Sequence, residues 1–305
     1  MKVINFMGQR KLAVVFSIVL LVVSIGSLAT RQLNWGLDFT GGTLVEVNYS
    51  TTANLSAVRN TLETRGYAGA TVVSFGSDRD VMIRLPQGYS DQQGTALLVI
   101  LQEEFVGGQV ELRRIEFVGP QVGDELREQG GLAMLLALFL VTLYIGFRFQ
   151  LKFALGAVAA LVHDVIITLG FFSLTGMEFN LTVLAAVLAV VGYSINDTIV
   201  VFDRIRENFR KLRRTEPAEA MNISITETLG RTLVTSGTTL LTVVSLALFG
   251  GEMIFGFAVA LIVGITIGTY SSIYVASATA LALGVTKEDL MLPVKEGAEQ
   301  DELAP

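Results

Sequence analysis

Cysteine is absent from this sequence, and histidine occurs once, at His163. Without cysteine the chain forms no disulfide and no thiolate metal site, and a single histidine excludes a metal cluster built on histidines. Charged residues are also scarce: they make up 16% of the 305 residues, against about a quarter in a soluble domain. Because proline lies outside the long apolar blocks, a helix irregularity inside them has to come from glycine, serine or threonine; the prolines are Pro86, Pro120, Pro217, Pro293 and Pro305.

The apolar residues are gathered into blocks that are long enough to cross a membrane. Residues 12–30, 131–147, 232–251 and 253–286 contain no aspartate, glutamate, lysine, arginine or histidine. Residues 153–176 contain only His163 and Asp164, and residues 181–202 contain only Asp197. Because about 20 apolar residues span the hydrocarbon core as a helix, the pattern predicts a polytopic α-helical membrane protein with six transmembrane helices. The block at 253–286 is predicted to form one span with an extension.

Lysine and arginine in the short connections predict the orientation of these spans. They occur in the tail at 1–11, between the second and third spans, and in the connection at 203–228, whereas the short connections on the other side have none. We therefore expect both termini to be cytoplasmic and residues 31–130 to face outward. The first span, 12–30, is predicted to be an uncleaved anchor, because it exceeds the about 7–15 residues of a signal-peptide core. Residues 131–285 hold the remaining spans, and the polar, acidic residues 286–305 form a predicted cytoplasmic tail.

Residues 31–130 are predicted to form an α+β domain between the first and second spans. Strand patterns at 43–50, 70–75, 80–85 and 109–117 are interrupted by helical patterns at 54–64 and 91–105. The alternation breaks between Leu112 and Ile115, which indicates a β-bulge. The resulting order, β-α-β-β-α-β, is that of the ferredoxin-like fold, a scaffold that does not by itself indicate a function.

Asp197 is the most informative ionisable residue, because it lies on the apolar side of the border between the fourth span and the basic connection. A charged aspartate at a span centre costs about 2.5–3.5 kcal/mol, so such a residue faces protein or water, is paired, or is protonated. Counted from Asp203, it lies about 9 Å inside the span. Arg231 begins the fifth span on the same side, and antiparallel packing would bring it towards Asp197 as a switchable partner. Two structural alternatives stay open: Asp197 is a hydrogen-bond acceptor that fixes helix packing, and Arg231 extends its side chain to the cytoplasmic surface.

Asp164 is the second intramembrane carboxylate, about 18 Å deep when counted from Lys152. Its neighbour His163 is predicted not to face it, because adjacent helical residues point about 100° apart. Both residues are compatible with a structural role. The Thr- and Ser-rich fifth span and the G-x-x-x-G of Gly264 and Gly268 in the sixth are predicted to serve helix packing.

Four motifs resemble the SecD/SecF family of bacterial protein-export membrane proteins, on its SecF side. They are WGLDFTGGT at 35–43, ALVHDVIIT at 160–168, GYSINDTIVVFDRIREN at 192–208 and RTLVTSGTT at 231–239. They stand in the family's order, and the match extends over nearly the whole chain.

The resemblance implies an RND-transporter-like half that pairs with SecD in the bacterial inner membrane. It implies a role in late preprotein translocation through SecYEG, with SecA and YajC as further partners, an unfolded preprotein as substrate, and the proton gradient as energy source. No cofactor and no nucleic acid are implied. Asp197 and Arg231 match residues of the family's proton pathway, to which we add Asn196 and Asp164 as candidates. Gly36, Asp38, Gly41 and Gly42 fall in the motif where the outward domain joins the membrane helices.

Other interpretations remain open at this point. The chain is alternatively half of a proton-driven RND-type exporter of small molecules or lipids, or a scaffold of the translocon that transports nothing. An intramembrane enzyme is the third alternative, but there is no H-E-x-x-H motif and no established pair of catalytic carboxylates.

Overall fold

The computed structural model describes residues 3–86, 88–89, 91–105, 109–212 and 214–286. Apart from Thr286, the predicted C-terminal tail lies outside the described residues. From the N-terminus to the end of the outer domain the elements are α1 (Arg10–Thr30), β1 (Asn34–Trp35), α2 (Leu37–Thr40), β2 (Gly42–Tyr49), α3 (Leu55–Thr64), β3 (Thr71–Phe75), β4 (Ser77–Leu85), α4 (Asp91–Glu104) and β5 (Val110–Val118). They are followed by α5 (Pro120–Arg148), α6 (Leu151–Thr175), β6 (Glu178–Phe179), α7 (Leu181–Lys211), α8 (Pro217–Phe249), α9 (Glu252–Ser271), a π-helical turn (Ser272–Ala276) and α10 (Ser277–Ala282).

Six helices of the described chain are long and apolar enough to cross a membrane, as predicted. The sixth is the continuous run of α9, the π turn and α10, which is the predicted single span with an extension. Three helix ends differ from the prediction. α5 begins at Pro120, eleven residues before the apolar block, and the basic connection at 203–228 is mostly helical, because α7 continues to Lys211 and α8 begins at Pro217.

The centre of the bundle is formed by α6 and α7. Their most apolar segments are 61% and 56% buried, whereas those of the other four spans are between 11% and 28% buried. A large apolar cluster joins the middle of the bundle to the end where the N-terminus lies, with Phe153, Phe202 and Phe209 fully enclosed. Side chains that project inward from α6 and α7 are therefore removed from both water and lipid.

Residues 42–118 form a four-stranded antiparallel sheet in the order β3-β4-β2-β5. Strand β2 alternates as predicted, with Val45, Val47 and Tyr49 buried against α3 and α4. The predicted bulge is confirmed: Glu46 pairs with Arg114 and Val47 with Leu112, so Arg113 is the extra residue. The Asn54 side chain accepts a hydrogen bond from the Ala57 backbone and caps α3.

A short parallel pair, β1 with β6, ties the sheet domain to the bundle. The pair places Trp35 beside Phe179, just before α7 begins. The domain is therefore attached to the start of one of the two central helices and does not hang from α1 alone.

Candidate functional site

The bundle encloses two carboxylates, Asp164 on α6 and Asp197 on α7. Asp164 is fully buried and Asp197 is 6% exposed. Both lie on the inward faces of the central helices, because the helical repeat carries them on the same side as buried neighbours such as Leu161, Val190 and Val201. Among the described residues neither carboxylate has an arginine or lysine within ion-pair distance.

Asp197 is held by two hydroxyl groups from two other spans. Its Oδ1 accepts a hydrogen bond from Thr232 Oγ1 of α8 at 2.8 Å, and its Oδ2 accepts one from Ser272 Oγ of the π turn at 2.6 Å. Three spans therefore meet at this carboxylate.

Asp164 is held in a similar way. Its Oδ2 accepts hydrogen bonds from Ser194 Oγ of α7 at 2.5 Å and from Ser271 Oγ of α9 at 2.6 Å. Its Oδ1 lies 2.9 Å from His163 Nδ1. The prediction that adjacent His163 and Asp164 do not face each other is wrong, because both side chains are confined to the same buried pocket and turn towards each other there.

Two consecutive serines link the two carboxylates. Ser271, which bonds Asp164, ends α9, and Ser272, which bonds Asp197, begins the π-helical turn. Each hydroxyl also lies near a backbone carbonyl one turn earlier: Gly268 O at 3.1 Å for Ser271 and Thr269 O at 3.0 Å for Ser272. A hydroxyl has one hydrogen to donate, so each serine divides it between a carboxylate and its own helix.

The sequence pattern marks these serines as hydroxyls of a packed helix and does not predict them as partners of the carboxylates. The signal was present, because Tyr270-Ser271-Ser272 follows the G-x-x-x-G in a block without proline. The structure places a π turn at this point of the block, and π turns inside α-helices are frequently found at functional sites. What the sequence did not show is which face of the sixth span meets the carboxylates.

The structure does not bring Arg231 and Asn196 to Asp197. Both residues are exposed, and Thr232, the neighbour of Arg231, occupies the position predicted for the arginine. The reason is the helical rotation of α8: a step of one residue turns the side chain by about 100°, which directs Thr232 inward and Arg231 outward. Arg231 has no ion pair with any described residue.

The hydroxyl groups of α8 between residues 232 and 245 divide into two sets. Thr232 and Ser236 are buried and bond Asp197 and Thr269 on other helices. The other set bonds the carbonyl groups of its own helix and is largely exposed in this chain; it comprises Thr235, Thr238, Thr239, Thr242 and Ser245.

Two glycines allow α9 to approach α7 closely, as the G-x-x-x-G pattern predicts. The bare Cα of Gly264 packs on the side chain of Val190, and that of Gly268 on Ser194. This contact positions the end of α9, and with it Ser271 and Ser272, beside the carboxylates of the central helices.

The junction motif connects the sheet domain to α7. Asp38 Oδ2 accepts a hydrogen bond from the backbone N–H of Leu181, the first residue of α7, at 2.9 Å. Gly36 N donates to Phe179 O at 2.8 Å, while Gly41 and Gly42 adopt positive φ angles of 65° and 125°, which favour glycine. Gly36, Gly41 and Gly42 thus shape the backbone at the junction. Asp38 caps the N-terminus of α7, the helix that carries Asp197.

No group of three or more metal-ligating side chains occurs among the described residues, so the site consists of carboxylates, hydroxyls and one imidazole. Such groups accept, hold and pass on protons. The arrangement suits proton exchange inside a membrane.

Two family models match the chain. One, described as Protein export membrane protein SecD/SecF, C-terminal, matches residues 100–286, and the other, described as SecD/SecF GG Motif, matches residues 26–53. The Protein translocase subunit SecF of Vibrio alginolyticus is 58% identical over 307 residues, which cover 99% of this chain and 97% of that protein. That of Pseudomonas aeruginosa is 52% identical over 298 residues, covering 98% of this chain and 97% of that protein.

A solved structure extends the similarity to three dimensions. The crystal structure of SecDF, a translocon-associated membrane protein from Thermus thermophilus, superposes with a TM-score of 0.85 at 39% identity over 92% of this chain. The present chain spans only 39% of that SecDF chain.

Proposed function

The chain belongs to the SecD/SecF family of protein export membrane proteins, and from this premise we propose that Asp197 couples proton movement to the late steps of preprotein export. The chain is a subunit of the Sec protein-export machinery and a multi-pass protein of the inner membrane. The observation that carries the proposal is a buried carboxylate, in the middle of a central span, whose partners are hydroxyl groups from two other spans.

Hydroxyl partners suit a carboxyl group that changes its charge. An ionised Asp197 accepts hydrogen bonds from Thr232 and Ser272. A protonated Asp197 can instead donate a hydrogen bond to the hydroxyl oxygen of either residue, since a hydroxyl both donates and accepts. A close arginine would favour the charged form alone.

The proposed movement begins at Ser272. When Asp197 takes up a proton, its carboxyl group donates a hydrogen bond to Ser272 Oγ, and the hydroxyl hydrogen of Ser272 turns fully to Thr269 O, 3.0 Å away. This tightens the turn that precedes the π segment and removes the attraction between a charged group of α7 and the sixth span. When the proton leaves, the original bonds return.

The movement reaches the sheet domain through α7. Asp197 lies in the middle of this helix, and Asp38 of the junction motif caps its first residue. A shift of α7 along or about its axis therefore acts on the residues between the domain and the bundle. The available energy is sufficient, because one charge that crosses 100 mV supplies about 2.3 kcal/mol, enough to change which of two nearly balanced states dominates.

We assign SecD as the partner that completes the transporter, in the manner of an RND-like pair of halves. The present chain spans 39% of the similar SecDF chain, which leaves room there for a second half. Arg231 and the polar stripe of α8 lie on an exposed face of a membrane helix, and such groups are costly in lipid. We therefore place SecD on this face, where Arg231 takes part in the proton pathway through a group of the partner.

The sheet domain has the strand order of a ferredoxin-like fold, and we propose this assignment with an outward, extracytoplasmic position and cytoplasmic termini. SecYEG, SecA and YajC as neighbours, and an unfolded preprotein as substrate, follow from the family resemblance. The proposal involves no enzymatic reaction and no cofactor.

The test compares Asp197→Asn with Asp203→Asn in inverted inner-membrane vesicles that contain SecD. Asp203 lies on the same helix but at the surface, paired with Arg148 at 2.8 Å. We expect Asp197→Asn to abolish the stimulation of preprotein export by a proton gradient, and Asp203→Asn to retain it, at equal subunit abundance. Full stimulation in Asp197→Asn would refute the proton-carrier role and favour a scaffold of the translocon.

A further inference from the structure

The only histidine of the chain has a ring nitrogen that the site described above does not use. His163 is 3% exposed, and its Nδ1 lies against Asp164. Its Nε2 is buried and has no hydrogen-bond partner among the described residues. Because a buried polar atom without a partner is costly, such an atom calls for an explanation.

His163 is also part of the wall of a cavity of about 400 Å³ between α1, α6 and the sixth span. One end of the cavity is lined by Ala13 and Leu283, near the end of the bundle where the N-terminus lies, and His163 is about 18 Å along α6 from that end. The cavity therefore leads from a surface of the bundle to the immediate neighbour of Asp164.

The walls of the cavity are mainly apolar, but a polar path runs through it. Ser17 Oγ lies 3.0 Å from the hydroxyl of Tyr270, whose ring lies beside that of His163, with 6.3 Å between centroids. Nearer the surface, Tyr274 donates to the exposed Gln9 at 3.4 Å. A water molecule needs about two to four polar partners to stay in a protein cavity. The wall here carries the hydroxyl groups of Ser17 and Tyr270, the latter donating to Ala13 O at 2.7 Å, and the ring of His163.

We propose that His163 is a proton-exchange residue that connects Asp164 to water in this cavity, and so gives the second carboxylate its own route to the side of the membrane where the N-terminus lies. The inference rests on the proposed function, because it assigns a path to the protons that drive export. It differs from that proposal in naming His163 and the cavity, neither of which Asp197 requires.

The proposed route consists of two proton transfers, one at each nitrogen of the imidazole ring. A hydronium ion in the cavity gives a proton to His163 Nε2 and becomes water, and the ring becomes an imidazolium. The Nδ1 proton then passes to Asp164 Oδ1 at 2.9 Å, leaving a neutral ring and a neutral carboxylic acid. The reverse sequence returns the proton to the cavity, so the route serves release as well as uptake.

Few titratable groups surround His163 in the described structure. Within the part of the chain that the structure describes, Asp164 on the same helix is the only carboxylate hydrogen-bonded to His163. Tyr270 and Tyr274 are the titratable groups that the sixth span adds to the cavity wall. No aspartate, glutamate, lysine or arginine lines the described cavity. α1 contributes the hydroxyl of Ser17, which neither gains nor loses a proton near neutral pH.

The serine pair transmits the state of Asp164 to Asp197. A neutral Asp164 no longer requires the hydrogen of Ser271, which can turn to Gly268 O, 3.1 Å away. Ser272, the next residue, then donates to Asp197 from an altered backbone turn. Proton exchange at His163 is therefore expected to act on the same π turn as proton exchange at Asp197.

The first measurement is nitrogen NMR of the full chain in lipid nanodiscs, labelled with 15N-histidine and carrying an affinity tag without histidine. Since His163 is the only histidine, every imidazole signal belongs to it. We expect magnetisation transfer from water to the ring in wild type and its loss in Ala159→Phe, which fills the cavity. Ala133→Phe adds the same volume on an exposed face of α5 and should leave the transfer unchanged. Absence of water contact in wild type would overturn the proposal.

The second measurement is proton-stimulated export in vesicles with SecD. We expect His163→Gln, which keeps a donor to Asp164 but carries no proton, and Ala159→Phe each to lower the stimulation about tenfold or more, while Ala133→Phe matches wild type. If both variants export like wild type while Asp197→Asn does not, the His163 route is wrong and the role of Asp197 stands. If Asp197→Asn is also fully active, the proposed function itself fails, and the NMR result alone decides whether His163 exchanges protons with the cavity.

Discussion

Replacing Gly264 with alanine should separate α9 from α7, because the glycine leaves no room for a side chain. A Cβ at this position would lie 2.6 Å from Val190 Cγ1 and 2.9 Å from Val190 Cβ, and closer still to Val190 Cγ2. Carbon atoms in contact are normally about 3.5–4.0 Å apart. Since Val190 is itself buried in the centre of the bundle, it has little freedom to move away.

The expected loss of stability is the cost of overpacking minus the gain in helix propensity. Overpacking a close contact costs about 1–3 kcal/mol, and three short contacts favour the upper end of this range. Alanine is better than glycine inside a helix by about 1 kcal/mol. Gly264→Ala should therefore lower the free energy of unfolding by about 2 kcal/mol. Gly192→Ala on α7 is the control: no heavy atom lies within 4 Å of its added Cβ, so it should be neutral or stabilising.

A double-mutant cycle isolates the contact. Val190→Ala removes the two Cγ atoms, which lie nearest to the new methyl group, and keeps only the Cβ contact at 2.9 Å. The double variant Gly264→Ala/Val190→Ala should therefore recover most of the lost stability, with a coupling energy of about 1–3 kcal/mol. The free energies are measured by denaturant unfolding of the four proteins in the same detergent. Additive losses, with no coupling between the two positions, would refute the close packing of α7 on α9.

Three further predictions concern separate parts of the molecule. Ser272→Ala removes a hydrogen bond to a carboxylate, worth about 1.5–3 kcal/mol, and should lower proton-stimulated export in vesicles about tenfold; unchanged stimulation would contradict its proposed role. Gly42→Ala places a methyl group against Leu85 O at a φ of 125°, so amide exchange in β2 should rise while the bundle stays protected. Hydrogen bonds from Ser77 and Asn48 hold the pKa of Asp80 below its ordinary 3.8. A lowered pKa of an aspartate stabilises the folded state above the pKa of the unfolded state, and this stability is lost as the pH falls through the pKa of the folded state. Acid should therefore destabilise the wild-type sheet domain more than that of Asp80→Asn. Circular dichroism of the domain's unfolding measures the difference.

The features that sequence predicted well depend on local pattern. The six apolar blocks are spans because hydrocarbon length and helical rise are fixed, and the break between Leu112 and Ile115 is visible in the alternation of a single strand. Asp197 was identified in the same way, because one carboxylate in an apolar block is conspicuous whatever surrounds it. These features need no knowledge of how one helix is turned against another.

The features that sequence missed depend on helix rotation. Whether Thr232 or Arg231 meets Asp197 is decided by a turn of about 100° in α8, and neither composition nor motif specifies that angle. The contact between His163 and Asp164 was misjudged for a related reason: the angle between adjacent side chains describes a free helix surface, whereas burial directs both side chains into one pocket. The serine partners require the π turn, which no spacing rule predicts.

The rotation of α8 has a consequence for how this chain would work with the proposed SecD half. If Arg231 were paired with Asp197 inside this chain, the carboxylate would be fixed in its charged form and the chain could hold that state alone. With Thr232 in that place, Asp197 can be charged or neutral among the same neighbours, and Arg231 remains available at the surface of the bundle. A partner whose own carboxylate approaches Arg231 would then pair with it across the interface without disturbing the hydroxyls of Asp197. Proton exchange in one half would be felt in the other through movement of α8, which carries Thr232 on its inner face and Arg231 on its outer face.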